Sequence, residues 1–146
     1  MTRQQTSMTT ALEAYARYYE TLTPETVADL HRLVSADIHF RDPFNDTRGA
    51  AAYERVLVKM FQDVMEPEFE TLHTIVDGAI GYMKWRFAFR AKRGAAREVI
   101  GMTELHFDAQ GRITKHIDFW DPASQLYEHV PILGFVLRKI REKVAA

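Results

Sequence analysis

The chain has 146 residues, a net charge of −1, 47% hydrophobic and 27% charged residues, and no cysteine. This is the length and composition of one globular domain, not of a disordered chain. Disulfide frameworks, thiolate zinc sites, iron–sulfur ligation and cysteine nucleophiles are excluded. Near-neutral charge argues against a nucleic-acid partner, which needs clustered basic surface. No apolar run approaches the roughly 18–20 residues of a membrane span. The opening MTRQQTSMTT lacks the apolar core of a secretory signal, so a cytoplasmic location is expected. Residues 1–146 read as a single domain without linker or repeat, and residues 1–9 are expected to be a flexible lead.

The first helix is predicted over Thr10–Leu22, where Leu12, Tyr15, Tyr19 and Leu22 recur at three- and four-residue steps. Thr10 and Glu13 have the form of a capping box. Thr23-Pro24 has the form of an N-cap and first helical position. It opens a second predicted helix, Pro24–Val34. Ile38–Asp42 alternates as a short strand stopped by Pro43, and Phe44–Arg48 reads as a loop. From Gly49 to Met65 the pattern is helical again, with Tyr53, Val56, Leu57, Met60, Phe61 and Val64 on one face. Four strands follow: Phe69–Val76, Tyr82–Ala91, Val99–Phe107 and Ile113–Trp120. Turn material containing Gly78, Gly94 and Gly111 separates them. Helices followed by an antiparallel meander make an α+β domain with helices packed on one sheet face. Pro131–Val144 reads as a last amphipathic helix.

Strand alternation sorts the polar residues onto faces. Asp42 falls on the side of Ile38 and Phe40. An acid ending an apolar strand face is a workable general base if desolvated. Asp before Pro is equally a common turn opening. In the last strand Thr114, His116, Asp118 and Trp120 share one face. His116 and Asp118 stand two residues apart, so their Cβ atoms lie roughly 6–7 Å apart. That suits an imidazole oriented by a carboxylate. By pattern alone this face is either solvated or lines a site. Trp85, Phe87 and Phe89 form an aromatic face that covers the core or lines a cavity. The basic residues between them are expected to pair with acids such as Glu98 and Glu104 across the sheet. Tyr15, Tyr18 and Tyr19 crowd the first helix. No set of metal ligands with workable spacing, no GxGxxG and no Walker-type loop is present. Neither metal nor cofactor is expected.

The order of elements from Thr10 to Trp120 resembles the NTF2-like superfamily, and within it SnoaL-like and ketosteroid-isomerase-like domains. The resemblance implies a cone: a curved mixed or antiparallel sheet wrapped around the N-terminal helices, with the C-terminal helix as an addition. It implies a deep, mostly apolar pocket. Asp42-Pro43 in HFRDPF matches the Asp-Pro that carries the base of ketosteroid isomerases. Tyr18, 24 residues earlier, matches their oxyanion-donating tyrosine. Thr103 stands where those enzymes have a protonated aspartic acid, and Trp120 matches a pocket aromatic. The ending His116-Ile117-Asp118-Phe119-Trp120-Asp121 is similar to that of SnoaL-like cyclases, which implies an inward, acid/base Asp118.

The catalytic candidates are thus Asp42, Tyr18, His116 and Asp118. The pocket candidates are Thr103, Trp120, Tyr15, Phe40 and Trp85. The expected function is a cofactor-free enzyme acting on a small apolar carbonyl, enol or epoxide by proton transfer, cyclisation or hydration. The alternative is a non-catalytic ligand-binding or dimerisation domain of the same fold. The expected partners are a small apolar molecule and, by the resemblance, a second copy paired through the outer sheet face. Nucleic acid is not expected. Residues 131–144 carry four basic residues against Glu142 beside an apolar stripe of Ile132, Leu133, Val136, Ile140 and Val144, which also permits contact with an anionic membrane surface.

Overall fold

A computed structural model describes residues 2–126 and 131–145. The elements, in chain order, are α1 (Arg3–Glu20), a 3-10 helix (Val27–Arg32), β1 (Val34–Arg41), β2 (Asp46–Arg48), α2 (Ala50–Asp63), β3 (Met65–Asp77), β4 (Ile80–Arg90), β5 (Ala96–Phe107), β6 (Ile113–Phe119), α3 (Pro122–Gln125) and α4 (Pro131–Val144). The six strands form one curved, open sheet in the order β2-β1-β6-β5-β4-β3. Only β1 and β6 run parallel; the other neighbours are antiparallel. The α+β expectation holds, with α1 and α2 inside the curve.

Local chemistry explains where the boundaries depart from the sequence reading. Helix α1 starts at Arg3, within the stretch expected to be flexible. Thr2 caps it by accepting from the Gln5 amide at 3.2 Å, and Met8 is buried. Thr10 is therefore inside the helix, where its hydroxyl donates back to the Thr6 carbonyl at 3.1 Å. Pro24 does not open an α-helix. The Thr26 hydroxyl accepts from the Thr23 amide at 2.9 Å, closing a turn that leads into the 3-10 helix. The expected loop Phe44–Arg48 contains β2, which pairs with β1 through Phe40–Thr47 and Arg41–Asp46. The third predicted helix ends at Asp63, and β3 begins at once. Pro67 is accommodated because β3 is an edge strand with a register shift between Met65 and Glu68.

The core is one cluster joining α1, the 3-10 helix, α2 and the inner sheet face, with Leu12, Leu30, Ile38, Tyr53 and Leu105 buried in it. Gly81 and Gly101 allow two close approaches. A Cβ at Gly81 would meet Leu12 Cδ1 at 2.5 Å, and one at Gly101 would meet the Trp85 ring at 2.5 Å. The outer sheet face exposes Leu72, Ile75, Met102 and Phe119. On that face Arg86 pairs with Glu70 at 2.5 Å and Glu98 at 3.3 Å, whereas Glu104 pairs with His106 at 3.0 Å. Along α4, Val136, Ile140 and Val144 are exposed. The side chains of Ile132 and Leu133 lie outside the described residues. Among the described residues, no helix is long and apolar enough to cross a membrane.

Candidate active site

The cone holds a cavity of about 840 Å³ that is open to solvent on one side. Its walls are mainly apolar: Phe40 from β1, Val56 and Met60 from α2, Phe69 from β3, and Met83, Trp85, Phe87 and Phe89 from β4. Phe69 stacks on Phe87 at 4.4 Å between ring centres, and Phe87 on Phe89 at 5.0 Å. Polar groups enter at two places. Asp42, Asn45, Arg55, Lys59 and Asp63 come from the β1–β2 loop and α2. Tyr19, Thr103, His116 and Asp118 come from the more buried α1, β5 and β6.

Alternation along β6 turns His116, Asp118 and the following Trp120 inward, which resolves the two readings of that face in favour of the site. His116 is 2% exposed, Thr103 1% and the Asp118 side chain 17%. Register places Thr103 directly opposite Asp118 and Leu105 opposite His116. The Trp85 indole N–H donates to Thr103 Oγ1 at 2.8 Å, and Thr103 donates to Asp118 Oδ1 at 2.5 Å. His116 Nε2 lies 2.8 Å from the same oxygen. On its far side, His116 Nδ1 lies 2.7 Å from the Tyr15 hydroxyl. Tyr15 hydrogen-bonds to Tyr53, and Tyr53 to Tyr19.

These contacts form one chain: Tyr19, Tyr53, Tyr15, His116, Asp118, Thr103, Trp85. With a neutral imidazole at His116, the chemistry of its end sets its direction. An indole N–H only donates, so Thr103 must spend its single hydrogen on Asp118. Asp118 Oδ1 is then an acceptor, and His116 Nε2–H donates to it. A neutral imidazole accepts at its other nitrogen, so Tyr15 donates to Nδ1. Tyr53 then donates to Tyr15, and Tyr19 to Tyr53. Burial holds the Tyr15, Tyr19 and Tyr53 phenols well above their ordinary pKa, and the negative charge of Asp118 adds to this at Tyr15 and Tyr19. All three remain hydroxyl donors. Aligned bonds in a low-dielectric interior reinforce one another.

Asp118 is thereby anchored through Oδ1. Among the described residues no hydrogen bond falls on Oδ2, and Asp118 lines the cavity. A carboxylate so held can accept a proton from a bound molecule without swinging away.

The other candidates distribute as follows. Asp42 lines the cavity, yet its carboxylate is occupied by the turn. Oδ1 accepts from the amides of Phe44 and Asn45, each at 2.7 Å, and Asn45 Nδ2 reaches both carboxylate oxygens at 3.0 Å. Here the turn reading describes the geometry. Tyr18 does not face the cavity: its hydroxyl donates to the Val27 carbonyl at 2.8 Å. It fastens α1 to the 3-10 helix and is not placed to act as an oxyanion donor. Thr103 lines the cavity but gives its hydrogen to Asp118, so it is not a second oxyanion donor either. Tyr15 lies behind the wall and acts on His116. Phe40 lines the cavity and stacks on Tyr53 at 4.2 Å. Trp120 lines it beside Phe44, with ring centres 5.5 Å apart.

Tyr53 and Tyr19 are the members of the chain not among the site candidates, although Tyr19 belongs to the tyrosine cluster on the first helix. The one available signal was chemical. A tyrosine on the buried face of a helix needs a partner for its hydroxyl.

A SnoaL-like domain family model matches residues 15–116. Among curated proteins, no sequence matches the chain. Solved structures do. An LEH-like epoxide hydrolase of M. tuberculosis is 18% identical, with a TM-score of 0.71 and 96% of each chain covered. A putative SnoaL-like polyketide cyclase of Jannaschia sp. CCS1 is 10% identical, with a TM-score of 0.72, covering 85% of this chain and 92% of that one. A hypothetical protein of Catenulispora acidiphila with a ketosteroid isomerase-like fold, in complex with trimethylamine, is 15% identical, with a TM-score of 0.68, covering 80% and 88%. At these identities the structural likenesses speak for the fold. With more than half of its length matched by the family model, and with a six-stranded curved sheet closed around helices, the chain belongs to the SnoaL-like domain family, on the NTF2-like fold.

Proposed function

We propose that this protein is a small-molecule enzyme in which Asp118 is the general base. It acts on a mostly apolar carbonyl, enol or epoxide compound by proton transfer, cyclisation or hydration. The observation that carries this reading is the state of the Asp118 carboxylate. One oxygen takes hydrogen bonds from Thr103 and His116, and among the described residues none falls on the other, on a carboxylate lining a mainly apolar cavity. His116 holds Asp118, and Tyr15 and Tyr53 hold His116. The proton transfer calls only on side chains of this chain, without a cofactor. Asp42, occupied by its turn, is not the base.

The test is turnover across a panel of such compounds, comparing wild type with Asp118→Asn and Asp42→Asn. General-base catalysis contributes about 10²–10⁴-fold. Asp118→Asn is expected to lose that much kcat while Asp42→Asn stays within about tenfold. Turnover that survives Asp118→Asn would refute the assignment. Ligand binding with no turnover of any compound would favour a binding domain of the same fold.

The proposal includes a homodimer through the outer sheet face, where Met102 and Phe119 are exposed as a cross-strand pair on β5 and β6, and Leu72 and Ile75 are exposed on β3 beyond β4. An apolar face of this kind favours association. Native mass spectrometry is expected to show a dimer, and Met102→Lys with Phe119→Lys a monomer.

A further inference from the structure

The seven-residue chain has a consequence for what the cavity accepts. Each hydrogen of the chain is already assigned. The indole N–H goes to Thr103, the Thr103 hydroxyl and His116 Nε2–H go to Asp118, and the Tyr19 hydroxyl goes to Tyr53. Among the described residues, the chain itself leaves no hydrogen free to donate at its Asp118 end. Asp118 and Tyr19 line the cavity there, and among the described residues no hydrogen bond falls on Asp118 Oδ2. Among the described residues, the only basic side chain within ion-pairing distance of Asp118 is His116, and that ring is neutral when Nδ1 accepts from Tyr15. The surrounding wall is aromatic: Phe40, Phe69, Phe87 and Trp120 line it together with Trp85 and Tyr19.

Deepening the catalytic reading of Asp118, we infer that the cavity selects molecules whose polar head is a hydrogen-bond donor, a hydroxyl or better an ammonium, carried on an apolar body. A donor satisfies Asp118 Oδ2. A positive charge gains further from the carboxylate and from the aromatic faces. A ketone or ether placed there sets its oxygen against the carboxylate, leaving both without a hydrogen. Discrimination of this kind is strong, because a buried group left unpaired costs more than a missing contact. A polar head that binds at Asp118 does so through an O–H or N–H, as an enol, an alcohol or an attacking water does. A carbonyl compound can give Asp118 only a proton from carbon, with its oxygen held elsewhere.

The experiment uses the full chain and three cage compounds of similar size: 1-adamantylamine, 1-adamantanol and 2-adamantanone. The protein's two tryptophans, Trp85 and Trp120, both line the cavity, so quenching of tryptophan fluorescence reports binding. The amine is expected to bind tightest and the alcohol next, with the ketone at least tenfold weaker than the amine. In Asp118→Asn, Thr103 and His116 still require an acceptor, so the new amide turns its oxygen to them and its NH2 to the cavity. The order then inverts, with the amine losing at least tenfold and the ketone gaining.

A ketone that binds wild type as tightly as the amine overturns the inference, as does failure of all three to bind. A preference for the amine that persists unchanged in Asp118→Asn also overturns it, because the aromatic wall alone would then be selecting. Should that variant not fold, the wild-type preference for alcohol over ketone still decides, because an aromatic wall attracts the ammonium but does not distinguish the two neutral compounds. Selective binding without turnover of any compound would sink the catalytic reading and leave this inference standing. Turnover that depends on Asp118 alongside preferred ketone binding would do the reverse.

Discussion

Thr103 and Asp118 face each other across β5 and β6, and the threonine hydroxyl donates to the carboxylate at 2.5 Å. The same hydroxyl is the acceptor for the Trp85 indole at 2.8 Å. One threonine thus ties an aromatic wall to the candidate base and sets the direction in which hydrogen bonds run. Thr103→Val keeps the shape and removes both bonds. A hydrogen bond to a charged group contributes about 1.5–3 kcal/mol. The variant is expected to lose about 10–100-fold in kcat and about 1–3 kcal/mol of stability, read by turnover and by urea unfolding.

Tyr15 and Tyr53 are fully buried and reach His116 Nδ1 from helices α1 and α2. Tyr15→Phe takes away the nearer hydroxyl, at 2.7 Å, and leaves the buried ring nitrogen the longer 3.4 Å contact to Tyr53. The expected cost is about 1–3 kcal/mol in urea unfolding. Tyr53→Phe breaks the chain one step further out and is expected to cost no more.

Tyr18 tests the departure from the family comparison. Its hydroxyl serves the Val27 carbonyl and lies outside the cavity. Tyr18→Phe is expected to cost about 1 kcal/mol of stability and to leave kcat unchanged within twofold. A loss of a hundredfold in kcat with the fold intact would restore it as a catalytic donor.

The tyrosines also set an alkaline limit. Burial raises the pKa of Tyr15, Tyr18, Tyr19 and Tyr53 in the folded protein. The native state then holds protons that the unfolded chain releases near pH 10. Their contribution to stability is complete below that pH and is lost as pH climbs from there towards the folded values. Tyrosinate absorbance from these four is expected to appear together with unfolding, as a cooperative step. Their gradual titration in a protein that keeps its circular dichroism would contradict the burial argument.

Gly101 gives a packing test at a distance from the carboxylate. The Trp85 ring lies against it, and a Cβ there would sit 2.5 Å from two ring carbons. Gly101→Ala must push the indole aside and pull its N–H from Thr103. Overpacking of this kind costs about 1–3 kcal/mol, and tryptophan emission is expected to shift.

Periodicity suffices for the architecture, because a meander of alternating strands and two amphipathic helices have few ways to bury their apolar faces. It also pairs His116 with Asp118, since residues two apart on a strand share a face. Tyr18 shows where such reasoning stops. Neighbouring helical positions point about 100° apart, so Tyr19 enters the cavity while Tyr18 serves Val27. Counting back from Asp42 cannot register that rotation. Asp42 itself had two readings, and only the positions of the Phe44 and Asn45 amides separate them. Tyr53 joins His116 from 63 residues away, a juxtaposition made by the packing of α2 on β1 and without a local signature.

The most direct measurement is the tautomer of His116, from nitrogen-15 shifts of the imidazole at neutral pH. With a neutral ring, the direction set by Trp85 gives a protonated Nε2 facing Asp118 and an unprotonated Nδ1 accepting from Tyr15. Shifts of that pattern, lost in Thr103→Val or Tyr15→Phe, are the expected result. A proton on Nδ1 with a bare Nε2 would mean that Asp118 carries a hydrogen of its own, and the assignment of Asp118 as the waiting base would fall.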